Sequence, residues 1–522
     1  MTALATAPDV SCRAREAQAN LHAGCAALHI SLPLPPADWI TTRDGALTAV
    51  IDGQWLGGCS VPRRAAGRML ERSNVRGNVA CLLLPTHAQQ IAAALDRVGE
   101  GRAIIVLLPH AAALALVLAC CDLSRPIAGE CLFFAHDASS LDNLFTRHPG
   151  LPLPQQFLKL PATDPTAGEA VIAWAQEVFS KQSAKHAARL AAARCRVPAS
   201  DGFCVAAGRT FCLWGDAGEA LSRALDCDTI DTDQPAQSAV AHVAERSADA
   251  AALVTVDTGR ADGPDLIAAD KPWLTWVTQP RVPAFVPAAP RDGLLLVDAA
   301  LRPAALAAGW PAGRIAVAGW PAVDSAGGGA GVALLADVSD LAPTEQIEDL
   351  SSVRLVWEAC RAELLARPQA IGDDPAAYLH RVRVRHAVPA ENFPEALLLE
   401  RLIAPAIVVA TARWLVRENV PVRLHGCGWD AFGDLAARWD GPVPDRAALA
   451  HAVASAGALI DPFILRSGHP IYAQGRPVIR TINRTAPRVL QDIAAACAGR
   501  APSGVTTAAI DPAVVRRLLG NA

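Results

Sequence analysis

The chain has 522 residues, 52% of them apolar and 19% charged, with a net charge of −4. That composition excludes a disordered protein, and so small a charge on so long a chain argues against a nucleic-acid or anionic-membrane partner. The length exceeds what one hydrophobic core supports, so two to four domains are expected.

The first region covers residues 1–195. Its opening, MTALATAPDVSCRAREAQ, has no charged segment followed by an apolar core, so no signal peptide is expected. An apolar run at 79–84 predicts a strand, THAQQIAAALDRV a helix and GECLFFAH a further strand. Between them, AIIVLLPHAAALALVLACC at 103–121 is nearly long enough to cross a bilayer. Pro109 and His110 interrupt it, and the two halves read as a buried strand at 104–108 and a helix packed on a sheet. No stable membrane span is therefore expected. Strand and helix alternate, which implies a parallel, doubly wound sheet, and a long Ala-rich helix at 169–194 closes the region.

The second region, 201–325, shows strand patterns at 203–207, 227–230, 252–256, 273–277, 293–297 and 314–317, with helices fitting at 218–225, 236–246 and 299–308. This is a Rossmann-like unit. Asp216 follows a Trp-Gly turn where the first strand-to-helix loop is expected, and Asp257 ends the third strand. Both are candidate general bases, and capping a helix is the simpler role for Asp216. Asp-x-Asp occurs at Asp226–Asp228 and Asp231–Asp233, but the pattern is short, brackets an acidic connection and assigns no metal site. SAGGGAG at 325–331 reads as a flexible linker.

The third region, 331–522, opens with a strand at 332–336 and continues with helical stretches at 346–365 and 396–418. The stretch 422–481 then carries the chemistry. VRLHGCGWDAFG is a short apolar run ending in a glycine pair; GPVPDRAALAHAVASAGALIDP is an amphipathic helix and a second run; FILRSGHPIYAQGRPVIRT leads through a turn and short helix to a third. Gly426 and Gly428 let backbone approach a ligand without a Cβ. Ser467, Gly468 and His469 precede Pro470, which suits a first helical position, so the free N–H groups and dipole of that helix would face a diphosphate. The chain has four lysines, the last at Lys271, so phosphate-binding cations in this stretch must be arginines: Arg466 and Arg476. Trp429 offers either a stacking face for a base or a pocket wall. Each has a plainer reading: the glycines as a tight turn, His469 as a helix cap, Arg476 as a surface charge, Asp461 as the start of an Asp-Pro turn. Helices are expected at 486–498 and at 512–519, the last swinging back across the domain gap.

The chain has 14 cysteines, with no C-x-x-C pair and no Cys/His spacing that fits zinc. A reduced, cytoplasmic protein is expected.

From about 203 to 482 the sequence resembles a GT-B glycosyltransferase, and within that class the CgeB-type, group-1-like branch. KPWLTWVTQPRVP with DGLLLVDAALRPAALAAGWPAGRIAVAGWPAVD resembles the end of the family's N-domain. TARWLVRENVPVRLHGCGW resembles the helix, strand and glycine turn of its C-domain, and SGHPIYAQGRPVIRT its donor-binding end. The first 195 residues have a weaker similarity to motility-associated-factor glycosyltransferases through SVPRRAAGRML, LLLPTHAQQIAAAL and LSRP. The resemblance implies an α/β fold: two Rossmann-like domains of GT-B type facing a cleft, 201–325 on the acceptor side and 331–522 on the donor side, plus an extra N-terminal α/β domain. It implies a bacterial, metal-independent transferase that needs no cofactor, takes a nucleotide-sugar donor and acts on a protein or glycan acceptor. The sequence leaves the oligomeric state open. It also departs from the family: Pro470 stands where many retaining members have the second of two glutamates, and Thr278-Gln279 replace an acidic residue. Three readings therefore stand side by side: a glycosyltransferase relying on Arg466 and a helix dipole for the leaving group, a non-catalytic sugar-nucleotide or glycan-binding scaffold, and a GT-B-type epimerase.

Overall fold

The computed structural model describes residues 10–519 apart from 71–77, 99–101, 161–164, 209–216, 264–265, 279–280, 321–330, 339–340, 342–350, 372–374, 390–392, 394, 463–475, 482–485 and 498–509. The fold is α/β and built on parallel sheets. By packing, the chain divides into two compact units, Met1–Arg209 with Cys227–Leu253 and Gly263–Lys271, and Thr210–Asp226 with Val254–Asp262 and Pro272–Ala522.

The first unit begins with the helix Val10–Leu28, followed by a small antiparallel sheet of β1 (Asp38–Thr41), β2 (Leu47–Ile51) and β3 (Gln54–Trp55). Neither was expected from the sequence, because the helix, though 19 residues long, mixes polar and apolar residues without a clear apolar face and the strands are short. A parallel sheet follows, made of β4 (Val79–Leu83), β5 (Ala103–Leu107), β6 (Leu132–Ala135) and β7 (Phe157–Leu158), in the order β6-β5-β4-β7. Every residue of β4 and β5 is buried, as strands covered on both faces require. The candidate bilayer segment is β5 plus the helix Ala111–Cys120, and among the described residues no helix is long and apolar enough to cross a membrane. The turn after β4 is sealed. Gln90 Oε1 accepts from the N–H groups of Thr86 (2.8 Å) and His87 (3.2 Å), and His87 Nδ1 accepts from the N–H of Gln89 at 3.1 Å. The segment Leu56–Gly58 packs so closely over it that a Cβ on Gly57 would stand 3.2 Å from that of His87.

A six-stranded sheet comprises β8 (Phe203–Ala207), β9 (Asp228–Asp231), β10 (Ala252–Val256), β11 (Trp273–Val277), β12 (Gly293–Leu296) and β13 (Ile315–Val317), in the order β13-β12-β11-β10-β8-β9. Its strands fall within a residue of their sequence-based bounds, because all but β9, which reads DTID, are compact, largely apolar runs. In the second unit, Asp292 accepts a bidentate pair of hydrogen bonds from Arg260 (2.8 and 3.0 Å) and another from the N–H of Trp273, so this buried carboxylate is fully partnered.

A five-stranded sheet within the second unit is wholly parallel: β14 (Val332–Leu335), β15 (Val422–His425), β16 (Trp439–Gly441), β17 (Ala458–Asp461) and β18 (Val478–Arg480), in the order β16-β15-β14-β17-β18. Helices Ser351–Ala366 and Ala404–Arg417 pack on one face, where Trp357, Leu364, Ile407 and Leu424 are fully buried. The helix Arg446–Ala454 covers the other through Leu449 and Val453. The helix expected over 396–418 is broken by a π-turn at Leu399–Ile403 just before Pro405, whose missing N–H cannot continue the ladder. Helix Pro512–Leu518 packs on β12 and β13, and Arg314 donates to the Leu518 carbonyl.

Candidate functional site

Numbered within itself, the sheet of β14–β18 has the order 3-2-1-4-5, so its winding reverses between β14 and β17. In such sheets ligands bind in the crevice outside the carboxyl ends of the strands at that reversal. Here the carboxyl ends of β14, β15 and β17 meet at that reversal.

After β15 the chain turns at Gly426, whose φ is +117°. A Cβ there would sit 2.2 Å from the Ala336 carbonyl oxygen, so only glycine fits this approach to β14. The turn is pinned from three sides. Gly426 donates its N–H to the Gly441 carbonyl (3.1 Å), the Trp439 indole donates to the Gly426 carbonyl (2.8 Å), and Ala336 donates its N–H to the His425 carbonyl (3.0 Å). Cys427 donates its N–H to Asp337 Oδ1 at 2.7 Å, and its carbonyl accepts from Val338 at 2.9 Å. Gly428, with φ +83°, opens a short 3-10 turn, Trp429–Ala431. Asp337 and Cys427 are exposed at this edge.

Trp429 has no exposed surface, and its indole N–H donates to the Ala336 carbonyl at 2.8 Å. It is a core residue beneath the turn, so the stacking face expected for it is not offered to a ligand. Asp461, at the end of β17, is 1% exposed; its carboxylate lies 3.7 Å from Arg480, and its backbone carbonyl accepts from the N–H of Thr481 at 3.0 Å. Its role is that of a buried strand end and not only of an Asp-Pro turn.

Arg476 corrects an expectation. It precedes β18, which places it at the amino end of a parallel strand, opposite the carboxyl-end crevice. Its Nη2 donates to the Ala454 carbonyl (3.4 Å) at the end of helix Arg446–Ala454, where a cation complements the helix dipole. Asp257 sits beyond β10 with φ +54° and is partly exposed. Its Oδ1 accepts from the Thr278 N–H (2.7 Å) and its Oδ2 from the Thr278 hydroxyl (2.5 Å), so the carboxylate clamps the ends of β10 and β11. Asp216, Arg466, Ser467, Gly468 and His469 lie outside the described residues. Of the sequence candidates, then, Gly426, Gly428 and Trp429 come together. Asp337 was missed; its one sequence signal is an acid directly after the apolar run VALLA.

At this edge Asp337 is the exposed carboxylate that can accept from a ligand hydroxyl, while Asp461 is buried beside Arg480. Among the described residues no group of His, Cys, Asp and Glu is arranged to hold a metal ion.

No protein-family model matches the chain, and no curated protein matches it. Among solved structures, a MAf glycosyltransferase from Magnetospirillum magneticum AMB-1 aligns with a TM-score of 0.25 and 13% identity over 54% of this chain. The alignment spans 63% of that protein's own length. A likeness this slight assigns neither a fold nor an activity.

Proposed function

We propose that the protein is a glycosyltransferase that takes a nucleotide-sugar donor at the carboxyl edge of β14, β15 and β17. The observation that carries the reading is the Gly426–Gly428 turn beside the exposed carboxylate of Asp337, at the winding reversal of a fully parallel sheet. Asp337 suits a ribose or sugar hydroxyl. The diphosphate falls to the segment with Arg466, Ser467, Gly468 and His469, on the sequence resemblance. In this reading 331–522 holds the donor, 201–325 the acceptor, a protein or glycan, and 1–195 is an accessory region of a bacterial, cytoplasmic enzyme of the CgeB-type branch. No metal ion or cofactor takes part; Arg466 stabilises the departing phosphate, and Asp216 is the remaining candidate base.

One observation favours a second reading, a scaffold that binds a sugar nucleotide without turnover. The candidate base Asp257 already accepts on both oxygens from Thr278. A panel of UDP-, GDP-, CMP- and ADP-sugars screened by thermal shift tests binding. At least one donor should raise the melting temperature, and Asp337→Ala should reduce the rise; no rise from any donor rejects both readings. Mass spectrometry of the bound donor, incubated with cell extract as acceptor, then separates them: transfer of the sugar identifies the enzyme, and an unchanged donor the scaffold.

A further inference from the structure

Behind the Gly426–Gly428 turn lies a polar cluster that donor binding does not account for. The pairing of β15 with β16 slips: Leu424 faces Trp439, but His425 faces Gly441, so Asp440 is the extra residue of a β-bulge. A bulge re-aims the side chain of its extra residue. The Asp440 carboxylate points at β15, 3.4 Å from Arg423 Nη1 and 3.8 Å from His425 Nε2. His425 is 7% exposed, and its Nε2 is buried without a hydrogen-bond partner. Both neighbours of the bulge hold the site: Gly441 accepts the Gly426 N–H, and Trp439 donates to the Gly426 carbonyl.

We propose that His425 and Asp440 form a proton-controlled brace beneath the turn, in which protonation of His425 draws the Asp440 carboxylate onto its Nε2 and stiffens Gly426. The neutral imidazole leaves the carboxylate to Arg423. Once charged, the ring gives Asp440 a second, buried cation to bond, and the gap of 3.8 Å closes to hydrogen-bonding distance. Because Trp439 and Gly441 flank Asp440, its movement tightens both backbone bonds to Gly426. The groups facing His425 are Asp440 on β16, Arg423 on its own strand and His451 on helix Arg446–Ala454. Burial holds the imidazole below its ordinary range; Asp440 opposes that, while Arg423 and His451 reinforce it. Asp440 is what raises the imidazole against that burial, so an opening that parts the two while the ring stays buried is disfavoured once His425 is charged, and the brace, open at neutral pH, closes below the ordinary histidine range. Its functional consequence, a firmer donor turn in acid, rests on the proposed function; its physical test does not.

The test is amide hydrogen exchange of the full chain without nucleotide, comparing the Gly426 N–H with the β14 amides as an internal reference for global opening. In the wild type, protection of Gly426 relative to β14 should rise roughly fivefold between about pH 7.5 and about pH 4.5, the scale of one partly exposed ion pair. Asp440→Asn, at an exposed position that tolerates change, should abolish the rise. Arg423→Gln, which frees the carboxylate, should move the rise to higher pH. A wild-type ratio independent of pH, or the same rise in Asp440→Asn, overturns the brace. Either result stands apart from donor binding, since no ligand is present: a rise in a protein that no donor of the thermal-shift panel stabilises sinks the proposed function alone, and no rise in a protein that a donor does stabilise sinks the brace alone.

Discussion

The sheets of β4–β7 and β14–β18 begin with the same winding, first strand central and reversal on one side of it, yet they treat the end of that first strand differently. After β4, Gln90 takes up the N–H groups of the turn, His87 is wholly buried and the segment Leu56–Gly58 lies over it. After β14, the edge carries the exposed Asp337 and the glycine turn from β15. Winding order alone therefore does not make a site. What differs is cover: His87 is wholly buried beneath Leu56–Gly58, whereas Asp337 bonds Cys427 and still stands exposed at the edge.

The sharpest way to break this contrast is Gly426→Ala. A methyl 2.2 Å from a carbonyl oxygen, on a backbone at φ +117°, should cost about 3–5 kcal/mol of stability. Urea denaturation checks it. A variant as stable as the wild type would show that the turn is not held against β14, and the pinned geometry of the site would fall with it.

The sealed turn has its own signature in pH. Burial pushes His87 down to about 4, with the Leu47 carbonyl and Asp44 opposing weakly. The unfolded chain then binds a proton below about pH 6.5 and the native chain does not, so stability rises with pH across this window. On acidification from about pH 6.5 to about pH 4 it should fall by on the order of 3 kcal/mol, and level off below. His87→Gln should remove most of that slope in denaturation curves taken at several pH values. A slope unchanged in the variant would mean that His87 is solvated and its turn open.

How much of this was legible in the sequence follows from the range of the interactions. Strands such as β5 and β11 announce themselves, because a strand buried on both faces is a nearly continuous apolar run, AIIVL in β5 and WLTWV in β11, where only Thr275 is polar. Gly426 was legible as a turn, since glycine after an apolar run is a local signal. Asp337 was not: its meaning depends on a bond to Cys427, 90 residues away. Trp439–Gly441 was missed as a strand because a bulged edge strand of three residues has no apolar pattern to show. Arg476 read as either a phosphate-binding cation or a surface charge, and its bond to the Ala454 carbonyl, 22 residues away, leaves no local signal.

Trp429 tests the same point at smaller scale. As a core residue, Trp429→Phe should lose the indole bond to the Ala336 carbonyl and cost about 1–2 kcal/mol in thermal or urea unfolding. The affinity of any donor found by thermal shift should stay the same. A selective loss of affinity with stability intact would restore the stacking role and place the base over the turn.

The smallest effect has the opposite sign. Gly67 lies within helix Pro62–Leu70 of the first unit, with helical φ and nothing within 4 Å of where a Cβ would be. Glycine here serves no close approach; it only adds freedom to the unfolded chain and weakens the helix. Gly67→Ala should stabilise the protein by about 0.5–1 kcal/mol, read as a higher urea midpoint. The pair of glycine variants then separates two uses of one residue: at Gly426 the missing side chain is the condition for bringing β15 against β14, and at Gly67 it is a vacancy that a methyl group fills without resistance. A loss of stability in Gly67→Ala would show that this face of the helix is covered and that the first unit, like the second, keeps glycine where chains must touch.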